Sequence, residues 1–292
     1  MITKVRHHVN EVLHHLYINP LEKCNLRCKI CYTRKTSPIL TENQIFDFVS
    51  QYQKVCKVQT ITFCGGEVFT LPYFTHLVNT LTDRGIFVQI ITNASINRLG
   101  EIKNPNSVNL IVSIDGMKSY HDTNRGKGSY EQCIKFLKAA NELGFHSEIF
   151  SIVTKQGLKK IDDFEQSLKK RLGNIEITYH PRKPASYLSN HPISNIVGHI
   201  EGFDFLSKEE LIHLMKTKKT FPPKDLGCYQ ISLASDGTVY GCCESYKPLG
   251  TMTDPVNELM SLLKSRIDTT CLGCIQPSFM CGIKEIIATI HA

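Results

Sequence analysis

The sequence predicts an α/β protein. Six strand–helix repeats curl a parallel sheet into a partial (β/α)6 barrel of the TIM type, and a small cysteine-rich region follows. Three observations lead there. Short apolar, β-branched runs alternate with helical segments from residue 13 to about 179. The residues that carry chemistry fall where strands end: Cys24, Gly65-Gly66-Glu67, Asn93, Ser113 and Asp115. Beyond residue 226 the texture changes to short strands, a turn at Asp236-Gly237 and cysteines. Six strands are too few to close an eight-stranded barrel.

Taken in order, Leu13–Asn19 reads as strand one, stopped by Pro20, and a cysteine loop follows. Thr41 with Gln44 forms a capping box ahead of a helix near 42–56. Strand two covers Gln59–Cys64 and runs into Gly65-Gly66. A helix near 72–84 ends at Gly85, and Ile86–Thr92 is strand three. Val108–Ile114 is strand four, closed by Asp115-Gly116. A helix over 129–143 ends at Gly144, strand five is His146–Thr154, a helix over 161–171 ends at Gly173, and strand six is Ile175–Tyr179. Residues 181–206 carry Pro181, Pro184 and Pro192 and read as a connection over the barrel mouth. A helix over 207–219 is broken by Pro222-Pro223. The expected organisation is an N-terminal segment 1–12, a barrel core 13–206, and a linker helix with a cysteine-rich domain over 207–292.

Composition narrows the function. Of 292 residues, 41% are hydrophobic and 21% charged, as in a globular protein. No long uncharged apolar run is present, so no membrane span is expected, and MITKVRHHVNEV lacks the apolar stretch of a secretion signal. The expectation is a cytoplasmic protein. The net charge of +7 is spread over short basic runs that suit solvated helix faces better than a nucleic-acid groove. Twelve cysteines point to metal or redox chemistry in a reducing compartment that disfavours disulfides.

Three of those cysteines form one loop, Cys24-Asn-Leu-Arg-Cys28-Lys-Ile-Cys31. Three thiolates within eight residues can hold an iron–sulfur cubane that needs four ligands, leaving one iron open to a small molecule. Structural zinc, the competing reading, favours cysteines two apart with four protein ligands. Cys56, Cys64 and Cys133 read as small buried hydrophobes. Cys228, Cys242, Cys243, Cys271, Cys274 and Cys281 form a second set, whose four best-spaced thiols could hold zinc or iron.

The CxxxCxxC loop directly after a first barrel strand resembles the radical SAM superfamily, with Ile30 where that family usually has an aromatic residue. The resemblance implies a 4Fe–4S cluster on Cys24, Cys28 and Cys31. Its open iron would take S-adenosylmethionine (SAM), whose reductive cleavage yields a 5′-deoxyadenosyl radical that abstracts hydrogen from substrate. It also implies an electron donor such as flavodoxin or ferredoxin. Gly65-Gly66-Glu67 resembles the family's GGE motif, which grips the methionine amino group. Thr92-Asn93 and Ser113-Ile-Asp115-Gly116 resemble segments of its peptide-modifying branch, as do His121-Asp122-x-x-Arg125 and Gly126-x-Gly128-Ser129-Tyr130. The implied SAM contacts are Gly65, Gly66, Glu67, Asn93, Ser113 and Asp115.

The second cysteine set resembles the auxiliary-cluster domain called SPASM, or its shorter form, twitch. That implies one auxiliary 4Fe–4S cluster on Cys228, Cys242, Cys271 and Cys274, with Cys243 or Cys281 able to replace a ligand. Sulfatase-maturing relatives carry an Asp base directly after the cysteine matching Cys242; this chain has Cys243 and then Glu244. Candidate catalytic residues are Glu244, Cys243, His180 and Arg182, with Ser151 also expected to face the barrel mouth. The expected reaction is oxidation or crosslinking of a peptide side chain. The alternatives are a twitch-type small-molecule dehydrogenase and, from another class, a zinc-stabilised nucleic-acid-binding module.

Overall fold

A computed structural model describes residues 15–183, 198–220, 231–241 and 247–269. Strand β1 (His15–Ile18) leads into the cysteine loop. Then come α1 (Glu42–Gln53), β2 (Thr60–Phe63), α2 (Phe74–Asp83), β3 (Phe87–Thr92), β4 (Val108–Ser113), α3 (Lys118–Arg125), α4 (Ser129–Glu142), β5 (His146–Val153), α5 (Ile161–Leu172) and β6 (Glu176–Pro181). After them lie α6 (Lys208–Thr217), β7 (Ile231–Leu233), β8 (Thr238–Tyr240), β9 (Pro248–Thr251) and α7 (Val256–Thr269). Local signals act as read. Thr41 caps α1, with the reciprocal bond from Gln44 in place, and Ser207 with Glu210 does the same for α6. Helix α3 escaped the sequence reading because KSYHDTNR has no apolar stripe to mark it.

The described strands form one open sheet of nine, in the order β6-β5-β4-β3-β2-β1-β7-β8-β9. Strands β1 to β6 are parallel neighbours. The short strands after residue 226 extend this sheet. β7 pairs in parallel with β1, and an antiparallel hairpin and β9 continue from it. Its turn uses Gly237 at φ +86°, a conformation that favours glycine.

Strand parity separates two faces. Leu16, Ile18, Ile61, Phe63, Val88, Ile90, Leu110, Val112 and Ile149 are all buried in the main core. On the other face a polar row crosses the sheet, with Tyr17, Thr62, Gln89, Asn109 and His146 in register. It is knitted by His15 to Thr62 (2.7 Å), Thr62 to Gln89 (2.7 Å), Asn109 to Glu148 (2.8 Å) and His146 to Asn109 (3.0 Å). Thr62 Oγ1 spends its only proton on Gln89 Oε1, so the His15 ring donates to Thr62. Parity also corrects one expectation. Ser151 pairs with Tyr179, whose hydroxyl donates to Glu165 of α5 at 2.9 Å, so Ser151 faces the helices and not the barrel mouth.

Candidate active site

The site is assembled at the C-terminal ends of the parallel strands. After β2, Gly66 N–H donates to Leu21 O at 2.9 Å and Glu67 N–H donates to Lys23 O at 3.1 Å. The two glycines let the strand end lie flat against the start of the cysteine loop. A Cβ on Gly65 would sit 2.1 Å from Asn19 Oδ1 and 2.2 Å from Leu21 O; one on Gly66 would sit 1.7 Å from Lys23 O. Both positions are thus closely packed against the chain's own backbone.

Glu67 is fully buried. Its Oε1 accepts from Phe69 N–H (3.2 Å) and Thr92 Oγ1–H (2.8 Å), and its Oε2 accepts from Asn93 N–H (2.8 Å). The carboxylate bonds the ends of β2 and β3 together. Burial raises its pKa against those three donors. Asn93 carries the link onward. Its Nδ2–H₂ donates to Asn25 Oδ1 (3.1 Å) and Cys24 Sγ (3.5 Å). Ser113 closes β4, buried, with its carbonyl accepting from the buried Cys133 thiol at 3.7 Å.

Asp115 holds the centre of the next strand end. Arg125 grips it through two bonds, Nε–H to Oδ2 at 2.6 Å and Nη2–H to Oδ1 at 3.0 Å, with the Asp115 side chain fully buried. Asn124 Nδ2–H donates to the same Oδ2 at 2.7 Å. Burial pushes the Asp115 carboxyl up, but the Arg125 charge and the hydrogen bonds outweigh it, so its pKa is lowered. Burial likewise works against the Arg125 charge, and Asp115 more than offsets it. His121, fully buried, accepts from Asp115 N–H through Nδ1 at 3.2 Å, and burial lowers its pKa to about 4.

The cysteine loop closes the arrangement. Cys24, Cys28 and Cys31 are all partly exposed. Cys24 Sγ accepts from Leu26 N–H at 3.4 Å as well as from Asn93, and Cys31 Sγ lies 3.3 Å from Thr33 Oγ1. Burial raises the Cys28 thiol to about 11 against the pull of the Arg125 charge. Burial also raises the Cys24 thiol, opposed first by the Leu26 N–H. Among the described residues no three His, Cys, Asp or Glu side chains converge on one metal position. The donor set nonetheless fits an iron–sulfur cluster by its chemistry. It offers three soft thiols in one eight-residue loop, N–H groups aimed at sulfur and a guanidinium beside the middle cysteine.

The last candidates behave differently from one another. His180 shares the face of Phe150 and lies 5.7 Å from its ring, with Nδ1–H donating to Pro181 O at 2.8 Å. Arg182, the other catalytic candidate among the described residues, makes contacts within the chain. Its guanidinium donates to Phe203 O and to Gly198 O (2.8 Å) and lies 4.2 Å from the Phe205 ring centre. Lys183, which sequence reasoning passed over, is buried with its Nζ 4.8 Å from the ring centre of Tyr32, the residue after Cys31. Asn124 was also passed over, since it fills an unspecified position of the His121-Asp122-x-x-Arg125 segment. Cys228, Cys242, Cys243, Glu244, Cys271, Cys274 and Cys281 lie outside the described residues.

A parallel α/β sheet with a CxxxCxxC loop after its first strand defines a class of radical enzymes, and the comparisons agree. Residues 18–170 match the radical SAM superfamily, and the chain belongs to it. It is a radical SAM enzyme, and membership implies a 4Fe–4S cluster and SAM.

Three curated relatives resemble parts of it. The S-adenosylmethionine-dependent nucleotide dehydratase of Flammeovirga pacifica is 26% identical over 179 residues, covering 55% of this chain and 61% of the relative. The sporulation killing factor maturation protein SkfB of Bacillus subtilis is 26% identical over 146 residues, covering 48% and 36%. The mycofactocin maturase MftC of Mycolicibacterium smegmatis is 24% identical over 163 residues, covering 53% and 41%. The matches thus span from about a third to three fifths of these relatives' own lengths.

Among solved structures, Streptococcus suis SuiB bound to S-adenosylmethionine has a TM-score of 0.67 at 14% identity, covering 95% of this chain and 73% of that one. At that identity the likeness speaks for the fold. The superfamily match displaces the reading of a zinc-stabilised nucleic-acid-binding module. No helix among the described residues is long and apolar enough to cross a membrane.

Proposed function

We propose that this enzyme abstracts hydrogen from a peptide substrate and oxidises or crosslinks a side chain. The observation that carries the reading is the cysteine loop, bonded at once to the ends of β2 and β3 and to Asn124 of α3. The peptide class rests on the maturases SkfB and MftC among its relatives. Cys24, Cys28 and Cys31 would hold a 4Fe–4S cluster, which would supply the one-electron chemistry for cleaving SAM to a 5′-deoxyadenosyl radical.

The chain's own residues do the rest. The Gly65-Gly66-Glu67 strand end fixes the start of the cysteine loop, and Asn93 aims a donor at Cys24 sulfur. Gly65, Gly66, Glu67, Asn93, Ser113 and Asp115 border the SAM site. Glu67 and Asp115 act by holding backbone and guanidinium in place, since internal donors occupy their carboxylates. Lys23, Arg27, Lys29 and Arg34 stand exposed around the loop, with no acidic residue between 23 and 41. That charge suits an acidic one-electron donor such as flavodoxin or ferredoxin.

An auxiliary 4Fe–4S cluster on Cys228, Cys242, Cys271 and Cys274, with Cys243 or Cys281 as a substitute, would accept an electron from the substrate radical in a SPASM- or twitch-type domain. Glu244 or Cys243 would serve as its base, and His180, on the face of Phe150, is the better placed of the two barrel-mouth candidates. A second reading, a small-molecule dehydrogenase or an enzyme acting on a nucleotide, draws on the nucleotide dehydratase relative. Reduced enzyme, SAM and short peptides encoded beside its gene separate the two: a peptide mass change supports the first, and 5′-deoxyadenosine formed only with a nucleotide supports the second.

A further inference from the structure

Asn124 belongs to neither the cysteine motif nor the ion pair, yet it bonds to both. It sits on α3, 2% exposed, one residue before Arg125. Its carbonyl oxygen accepts from Lys29 N–H at 3.0 Å, and its Oδ1 accepts from Ile30 N–H at 3.2 Å. Lys29 and Ile30 are the whole spacer between Cys28 and Cys31. One residue therefore holds both spacer amides.

The other end of the same side chain is equally committed. Asn124 Nδ2–H donates at 2.7 Å to Asp115 Oδ2, which Arg125 Nε–H also grips at 2.6 Å. Asp115 is 2% exposed and its side chain is fully enclosed, so this anchor sits in the rigid junction of β4 and α3. A carboxamide accepts on its oxygen and donates from its nitrogen, so one short side chain serves two partners in different directions. Aspartate would set a second carboxylate against Asp115, and an apolar residue would leave the Ile30 N–H and one Asp115 bond unmade.

We propose that Asn124 is a positioning residue that sets the geometry of the Cys28–Cys31 span and thereby the hold of the loop on its cluster. This rests on the reading that the loop carries a cluster. The side chain does not act as a ligand. It transmits the position of the buried Asp115–Arg125 pair to the second and third cysteines, as hydrogen-bonded supports orient the ligands of metal sites in general.

The test uses full-length protein reconstituted anaerobically with iron and sulfide. Asn124→Ala and the near-isosteric Asn124→Leu are compared with wild type and with Thr123→Ala, a neighbour whose exposed hydroxyl bonds only Ser119 O. The readouts are far-UV circular dichroism, the rate of iron loss to a chelator, and the electron paramagnetic resonance spectrum of the reduced protein. The expected result is wild-type dichroism, iron loss about ten- to a hundredfold faster in both Asn124 variants, a shifted or broadened resonance, and no change in Thr123→Ala. A folded Asn124 variant that keeps iron at the wild-type rate with an unchanged resonance overturns the proposal. A second readout needs no variant: in wild-type protein the Lys29 and Ile30 amides exchange hydrogen at least about tenfold slower than unbonded loop amides, and unprotected exchange there overturns the proposal too. If wild type takes up no iron–sulfur cluster, the underlying reading fails, which a separate outcome of the same experiment reports.

Discussion

Replacing Gly66 by alanine puts one methyl group where the structure has no space for it. The new Cβ would lie 1.7 Å from Lys23 O, 2.3 Å from Lys23 C and 2.7 Å from Glu22 O, all backbone atoms. The loop must retreat by more than an ångström before the contact reaches the 3.0 Å that real Cβ atoms respect. Overpacking of this kind costs about 1–3 kcal/mol, and the retreat also breaks the Glu67 N–H to Lys23 O bond, worth about 1 kcal/mol. The sum, roughly 2–4 kcal/mol, lowers the melting temperature by about 3–7 °C in a chain of this size. The same retreat shifts Cys24, one residue beyond Lys23. Thermal unfolding followed by circular dichroism, with iron content after reconstitution, measures both effects. Gly100→Ala is the control, because nothing lies within 4 Å of its added Cβ; it should stay within about 0.5 kcal/mol of wild type. A Gly66→Ala protein that melts with wild type and loads iron normally would refute the close-packing argument.

Three further predictions follow from the same contacts. Asp115→Asn leaves the enclosed Arg125 charge without its partner and should cost about 3–5 kcal/mol in urea unfolding, with part of the loss recovered in the double variant Asp115→Leu/Arg125→Met; a loss below about 1 kcal/mol would contradict the pairing. His121 stays neutral in the fold down to about pH 4, against an ordinary value of 6.5. Between those values the unfolded chain binds the extra proton, so stability falls as pH drops through that window. The loss reaches at most about 2 kcal/mol between pH 7 and pH 5, and His121→Gln should flatten it; an unchanged slope would remove His121 from the account. Arg182→Ala should free residues 198–205, costing about 3–6 kcal/mol for two charged hydrogen bonds, and limited proteolysis should then cut in that segment before anywhere else in the core.

The fold was legible wherever a strand, a glycine stop and a capping box spoke for one segment at a time. Thr41 with Gln44 and Asp236 with Gly237 are such signals, and both act locally. What the sequence could not reveal depends on pairing across distance. Ser151 and His180 both lie near the ends of their strands, but only register assigns one to the helix side and the other to the side of Phe150. The joining of β7 to β1 is likewise a long-range choice that a three-residue strand cannot announce. At the site, the motif positions were visible and their partners were not. Glu67 reads as a free carboxylate until Thr92, Asn93 and Phe69 are seen to occupy it. The bonds from Arg182 to Phe203 O and Gly198 O likewise form only once the chain is folded. Asn124 lies in a polar helix without a stripe, and its meaning comes wholly from the loop folded against it.

The central claim is that Cys24, Cys28 and Cys31 hold a cluster that cleaves SAM. Anaerobically reconstituted and reduced protein, incubated with SAM, should release 5′-deoxyadenosine and methionine, and should carry about eight irons and eight sulfides per chain if the auxiliary cluster is present as proposed. The variant with all three cysteines changed to alanine should release none. Release of 5′-deoxyadenosine by that triple variant, or wild-type protein that holds zinc and no iron, would contradict the account.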